Sequence, residues 1–324
     1  YKFATDPWAI GPAFNMGWWL KDKTNKNWLK ELNSSNFIYI SHNHPDHLHK
    51  LTLSKISKNI PIVVPRFNSD STGKFIEELG FKNILRAEFE VEYRLTNASL
   101  IFTLLKSGDF RDDSGIYFSN GNFKGLLDVD SNMINFNKFP NLDFYASSFA
   151  GGASGYPLMF DNYNDAEKIK LVESNKNFFK IKKVYNLKKI KPNFFLPYAG
   201  SFESRLPRDQ KIEKTNIKNK IVDYQKICKL NNIQLLNVEN NEKFIFKNDS
   251  LIKKIKTNKP KQNDYDDHFY EDFFKKNYKI VDENYIKKYF INSKFKDNLH
   301  LYLSLTDKNF KIMDNYNYFV NFSK

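Results

Sequence analysis

The sequence predicts an α/β fold carrying a smaller α+β unit at its C-terminal end. Two observations carry this. Between residues 27 and 80, short apolar runs alternate with amphipathic, helix-like stretches, the pattern of one half of an α/β sandwich. From Asn83 to Ser119 the pattern turns to consecutive strands, and beyond a polar stretch at residues 248–263 short helices and strands return.

In order, Tyr1 to Thr5 reads as a strand ended by Asp6-Pro7-Trp8. Asn27–Leu32 reads as a short helix and Phe37–Ile40 as a buried strand. Leu51–Lys58 (helix), Pro61–Pro65 (buried strand) and Ser69–Leu79 (helix stopped by Gly80) follow. Strands are expected at Ile84-Leu85, Phe89–Tyr93, Ser99–Leu105, Ile116–Phe118, Gly125–Asp130, Leu142–Ala146 and Phe194–Pro197. A long lysine-rich helix over Asp165–Tyr185 breaks before Pro192, and Asp209–Leu230 is mostly helical. Ile233–Val238 and Phe244–Phe246 read as edge strands. The expected organisation is a main domain at 1–247, a linker at 248–263 and a small domain at 264–324. In the last, helices are expected at Asp264–Lys275 and Glu283–Phe290, and strands at Leu299–Leu305, Phe310–Met313 and Tyr316–Phe322.

The 324 residues suffice for a large core, and a hydrophobic fraction of 41% fits a globular chain. No apolar run approaches the ~20 residues of a membrane span, so no span is expected. The single cysteine, Cys228, excludes an internal disulfide and points to the cytoplasm. It also excludes a Rieske cluster within this chain, which needs two cysteines and two histidines. The net charge of +14 suits an anionic partner, but the basic residues form no single aromatic-interleaved stripe, so no nucleic-acid partner is expected.

The chemistry concentrates in Ser41-His42-Asn43-His44-Pro45-Asp46-His47, at the end of the strand Phe37–Ile40. On a strand end His42 and His44 share a side, and a turn stiffened by Pro45 brings Asp46 and His47 round to a second position. Imidazoles suit zinc and iron, and the carboxylate suits the harder of the two. Asp130 closes the run Gly125–Asp130 and offers a carboxylate able to span two cations, with Asp128 as the alternative. Gly11, Pro12 and Gly17 interleaved with Trp8, Phe14, Trp18 and Trp19 make an aromatic loop, either a pocket wall or a satellite core. The small residues Gly151, Gly152 and Ser154 allow backbone N–H groups to approach a phosphate or carboxylate. Arg205, Arg208, Lys214 and Lys218 offer charge to the same kind of anion, or are solvated surface.

The H-x-H-x-D-H pattern resembles the metallo-β-lactamase superfamily. The run Thr5–Phe14 with Trp18-Trp19-Leu20, the run Phe149–Pro157, the run Pro197–Phe202 and the stretch Lys214–Asn219 are similar to the CMP-N-acetylneuraminate (CMP-sialic acid) hydroxylase family. The resemblance implies an αββα sandwich lacking its first strand, with a Rieske domain preceding this region in the family. It implies an iron-dependent monooxygenase that hydroxylates the N-acetyl group of CMP-sialic acid or a related anionic nucleotide sugar. His42, His44, Asp46, His47 and Asp130 would bind metal, with Asp46 and Asp130 also catalytic. Asp6 would sit beneath the metal, and Trp8, Gly151, Gly152, Ser154, Tyr198 and Arg205 would meet substrate. Electrons would come from an external Rieske-type 2Fe–2S protein.

The pattern is broken at two places. Phe110 and Leu206 occupy possible histidine positions of the family; Asp109 or Asp112 could supply a carboxylate in place of the first, but aspartates in such a loop are more often solvated turn formers. The alternatives are a zinc-dependent hydrolase and a metal-depleted sugar-nucleotide binding module. His49 is expected outside the metal shell, and His268 and His300 to be structural.

Overall fold

The computed structural model describes residues 2–322, except 96–98, 132, 140, 152–154, 161, 238–242, 248–249, 256–262, 264–265, 278–281, 294, 296 and 308–310. It divides into two compact units, Tyr1–Glu271 and Asp272–Lys324.

The first unit is built on two sheets. One has four parallel strands in the order Phe3–Thr5, Phe37–Tyr39, Ile62–Pro65, Ile84–Ala87. The other has seven, in the order Gln234–Leu235, Phe194–Tyr198, Phe144–Ser148, Lys124–Leu127, Ser114–Ser119, Ile101–Lys106, Glu92–Arg94. Its first four strands are mutually parallel and the rest pair antiparallel.

Side-chain alternation explains the layering. Phe37 and Tyr39 pack with Val63 of their own sheet against Phe102, Leu104 and Ile116 of the other, so the two sheets meet face to face. The intervening Ile38 and Ile40 point the other way, onto Leu53, Ile56 and Ile76 of outer helical segments. Strands buried on both faces read as continuous apolar runs, which Phe37–Ile40 and Ile62–Val64 are. Outside the larger sheet, Leu126, Tyr145 and Phe195 pack against Leu187, Tyr224 and Cys228 of the covering helices. The result is the αββα sandwich expected. Each fully buried aliphatic or aromatic side chain contributes about 1.5–3 kcal/mol to it.

Several elements differ from the sequence reading. The strand expected over Gly125–Asp130 ends at Leu127, because Val129 takes a left-handed φ of 53°. Glu90 is also left-handed, which splits the stretch 89–93, leaving Phe89 only an isolated bridge to Leu104. The long helix runs Asp165–Ile190, one turn further than expected, its start fixed by an Asn164–Glu167 capping box. The region 209–230 is broken into short helices at Gln210–Thr215 and Gln225–Leu230 and a 3-10 turn at Ile221–Tyr224. Lys243–Lys247 is not an edge of the main sheet. It pairs with Ser250–Ile255, so a hairpin strand occupies part of the stretch expected as linker.

In the second unit, the helix Glu283–Ile291 precedes a ribbon of His300–Thr306 and Ile312–Asn321. The two strands expected over 310–322 form one. His300 is exposed beside Phe319.

Candidate metal centre

The strand Phe37–Tyr39 runs into the loop Ile40–His47, which is closed by Leu48 N–H donating to the His44 carbonyl at 2.8 Å. His42 is 1% exposed, whereas His44 reaches the surface. The helix Lys50–Lys55 starts next, and His49 caps it. Its Nδ1 accepts the Thr52 amide at 3.2 Å while Nε2 stands 3.2 Å from the Pro12 carbonyl. Those bonds occupy His49, which stands apart from the cluster as expected.

Around His42 the side chains form two groups able to hold a metal ion. One is His42, His44 and Asp113, and the other His42, His47 and Asp130, with ligand atoms within 4.8 Å of one another in each. Nε2 of His42 faces all of it: 2.8 Å from His44 Nδ1, 3.8 Å from Asp113 Oδ1 and 3.9 Å from Asp130 Oδ2. His47 Nε2 stands 3.3 Å from Asp46 and 3.5 Å from Asp130. Asp46 is in neither triad, but its Oδ1 is buried without a hydrogen-bond partner.

Asp6 fixes the orientation of both inner imidazoles. It accepts from the Ser41 amide and hydroxyl, each at 2.7 Å, and lies 3.0 Å from His47 Nδ1. The single Ser41 hydroxyl proton goes to Asp6. The 2.9 Å contact between Ser41 Oγ and His42 Nδ1 is therefore donated by the imidazole. That tautomer leaves the Nε2 lone pair of His42 facing the carboxylates, the arrangement a metal-binding histidine needs.

The electrostatics are strongly polarised. Burial, with the charge of His47, pushes His42 down to about 3, so it is a neutral imidazole at pH 7. Burial opposes charge on His47 as well, yet the carboxylates of Asp6, Asp130 and Asp46 raise it well above its ordinary value. Asp130, though buried, is held below the usual carboxylate range by His47. Asp113 is pushed up to about 6 by burial, against the pull of Arg111.

Asp113 corrects the sequence reading. Phe110, where a histidine was in question, is 96% exposed. Asp109 is tied to Arg111 Nη2 at 2.5 Å, and Asp112 lies near Lys106 on the exposed side. Asp113 is 2% exposed and directly precedes the strand Ser114–Ser119 of the seven-stranded sheet, from which its side chain comes within 3.8 Å of His42, carried by the other sheet. That adjacency to an apolar run was the available signal. Asp128 is not an alternative to Asp130: it is fully buried and accepts from Lys183 Nζ (2.8 Å), Ser147 Oγ (2.9 Å) and Tyr145 OH. Leu206 is buried, consistent with packing.

The residues expected to meet substrate are dispersed among local partners. Trp8 Nε1 donates to the Gly11 carbonyl at 2.8 Å. Gly151 has a φ of 69° and lies against Phe179. Arg205 is paired with Glu203 at 2.8 Å and lies over the Tyr270 ring, so an anion would compete for it. Tyr198 ends the strand Phe194–Tyr198. Gly152 and Ser154 lie outside the described residues. The aromatic loop curls through three left-handed residues, Phe14, Asn15 and Met16, and places Phe14 6.1 Å from His44, beside Trp18 stacked on Phe202.

The chain is 34% identical over 231 residues to the cytidine monophosphate-N-acetylneuraminic acid hydroxylase of Mus musculus, covering 67% of this chain and 39% of that protein. The hydroxylase of Xenopus laevis is 34% identical over 223 residues, 66% of this chain and 37% of that protein. This chain is a homologue of the CMP-N-acetylneuraminic acid hydroxylases. It spans about two fifths of the length of these curated hydroxylases. No family model matches it. Among solved structures, a possible metal-dependent hydrolase from Veillonella parvula gives a TM-score of 0.44 at 11% identity, over 79% of this chain and 92% of that one. CmlA, a diiron beta-hydroxylase from Streptomyces venezuelae, gives 0.41 at 14%, over 65% and 45%. In this hydroxylase homologue no helix among the described residues is long and apolar enough to cross a membrane.

Proposed function

We propose that this chain is the metal-binding, oxygen-activating part of a hydroxylase acting on CMP-N-acetylneuraminic acid or a related anionic nucleotide sugar. The observation that carries the reading is His42, whose oriented Nε2 is shared by two imidazole–carboxylate groups. Hydroxylating an unactivated methyl group exceeds what side chains can do, so a redox-active metal must supply that chemistry when bound. Donors of this kind, with no thiolate, fit iron, and the same donors accept zinc. The buried, unpartnered Asp46 Oδ1 fits a cation, and Asp113, though paired with Arg111 through Oδ2, keeps Oδ1 turned to His42. His42, His44, Asp113, His47 and Asp130 would hold the cation, Asp46 would face it, and Asp6 would keep the imidazoles aligned. The one cysteine among these 324 residues cannot hold a Rieske cluster, so on this reading electrons would reach the site from a Rieske-type centre outside this stretch.

The test has two parts. Elemental analysis of the chain purified without added metal is expected to find iron. Incubation with the nucleotide sugar, oxygen and a reduced Rieske protein is expected to give a product one oxygen atom heavier. Zinc with a hydrolysed product would replace this reading with a hydrolase, and a metal-free chain would leave a binding module.

Metal uptake should also depend on pH with a defined sign. Binding removes the raised proton of His47 and any proton held by Asp113 near pH 6. Protons therefore compete with the cation at low pH and lose as pH rises. Affinity for added cobalt(II), measured by titration from about pH 6 to about pH 8, is expected to increase steadily; a flat profile contradicts the assignment of these two ligands.

A further inference from the structure

A wall of rings leads away from the histidine cluster. Phe14 stands 6.1 Å from His44, Trp18 lies 4.2 Å from Phe14, Phe202 stacks on Trp18 at 3.9 Å, and Lys218 Nζ sits 4.3 Å over the Phe202 ring. His44 is exposed and the other four are half-buried, so a solute can touch each of them. The wall is stiff. Ala13 and Trp18 exchange backbone bonds at 2.9 and 3.2 Å, and Arg208 Nη2 donates to the Asn15 carbonyl at 2.7 Å. The three consecutive left-handed residues Phe14, Asn15 and Met16 are held there, a strain that folds keep mostly at ligand-binding surfaces. The backbone beside Lys218 is fixed too: the Asn219 amide donates to the Ala150 carbonyl at 2.8 Å, and its side chain to the Lys176 carbonyl at 3.0 Å.

Lys218 is the cation of this wall that lacks an anion. Among the described residues its Nζ has the Phe202 ring and no carboxylate within 4.0 Å. Glu213 turns instead to the Ser204 amide, at 3.3 Å. Arg205 is paired with Glu203 and Arg208 with Asp209, while Lys214 is exposed. Burial, against the pull of Glu213, holds the Lys218 ammonium below its ordinary value. A ring face attracts a cation without neutralising it, and a half-buried charge calls for a counter-charge. The phosphate is the anion that every nucleotide sugar carries.

We propose that Lys218 binds the phosphate of the nucleotide sugar, with the sugar directed along Phe14 toward His44. This rests on the nucleotide-sugar reading above and moves the expected anion contact from Arg205 to Lys218.

The test is calorimetric titration of wild type and Lys218→Met with CMP, which carries the phosphate and no carboxylate, and with CMP-N-acetylneuraminic acid, which carries both. Lys218→Met is expected to match wild type in circular dichroism and metal content, and to bind both ligands about tenfold or more weakly, as loss of one charge-assisted hydrogen bond requires. Lys218→Arg, which keeps the charge, should retain most of the affinity. Equal affinity for CMP in Lys218→Met overturns the proposal. A loss confined to CMP-N-acetylneuraminic acid also overturns it, by placing Lys218 on the sugar carboxylate. A wild-type chain that binds neither ligand removes the nucleotide-sugar reading itself, an outcome read before any variant is made. Should Lys218→Met misfold, Lys218→Gln takes its place under the same criteria.

Discussion

Replacing His42 by alanine is expected to strip the chain of metal. His42 is the imidazole common to both triads, so its loss leaves His44–Asp113 and His47–Asp130 as two-donor pairs. Bound metal should fall from the wild-type stoichiometry to less than about a tenth of it, given that loss of even an orienting partner typically costs 10–100-fold in affinity. His44→Ala should retain a large share, since His42, His47 and Asp130 persist. Elemental analysis after dialysis checks both, and His42→Gln, closer in volume, controls for packing at a site 1% exposed. Undiminished metal in His42→Ala would refute the site.

Lys183→Met is expected to be among the most destabilising single changes in the chain. Lys183 is 1% exposed and its ammonium meets Asp128, which is 0% exposed. Removing one partner of a buried ion pair strands the other charge, at about 3–5 kcal/mol. Urea unfolding should show a loss of that order, while Lys188→Met, on the exposed face of the same helix, stays within about 0.5 kcal/mol. Adding Asp128→Asn to Lys183→Met should recover part of the loss, because the stranded charge is gone. A loss under about 1 kcal/mol for Lys183→Met would show that Asp128 is neutral in the folded chain.

The histidine loop was legible because its geometry is local. Strand Phe37–Tyr39, Pro45 and the spacing of His42, His44 and His47 set it within a few residues. The sandwich was legible for a related reason: strands buried on both faces write unbroken apolar runs. Asp113 was not legible because three aspartates crowd one loop, and only the start of strand Ser114–Ser119 decides which of them turns inward. Asp130 stands with His42 and His47, but not for the reason read from the sequence. The apolar alternation does not deliver it. A left-handed Val129 beyond the strand does, and φ at a β-branched residue leaves no mark in the sequence. The pair Lys183–Asp128 was hidden for the opposite reason: in a helix this rich in lysine, a buried one looks like its solvated neighbours.

Asp6 has a consequence of its own. It closes the first strand with a left-handed φ of 44°, its amide bonded to the Tyr39 carbonyl and its carboxylate gripping Ser41 and His47. The strand Phe3–Thr5 is thereby clamped by the same loop that would grip a cation. Ligand bound only by the folded state stabilises whatever that state holds together. Filling the centre should therefore slow amide exchange at residues 3–6. Fraying that strand should loosen the cation without touching a single coordinating atom.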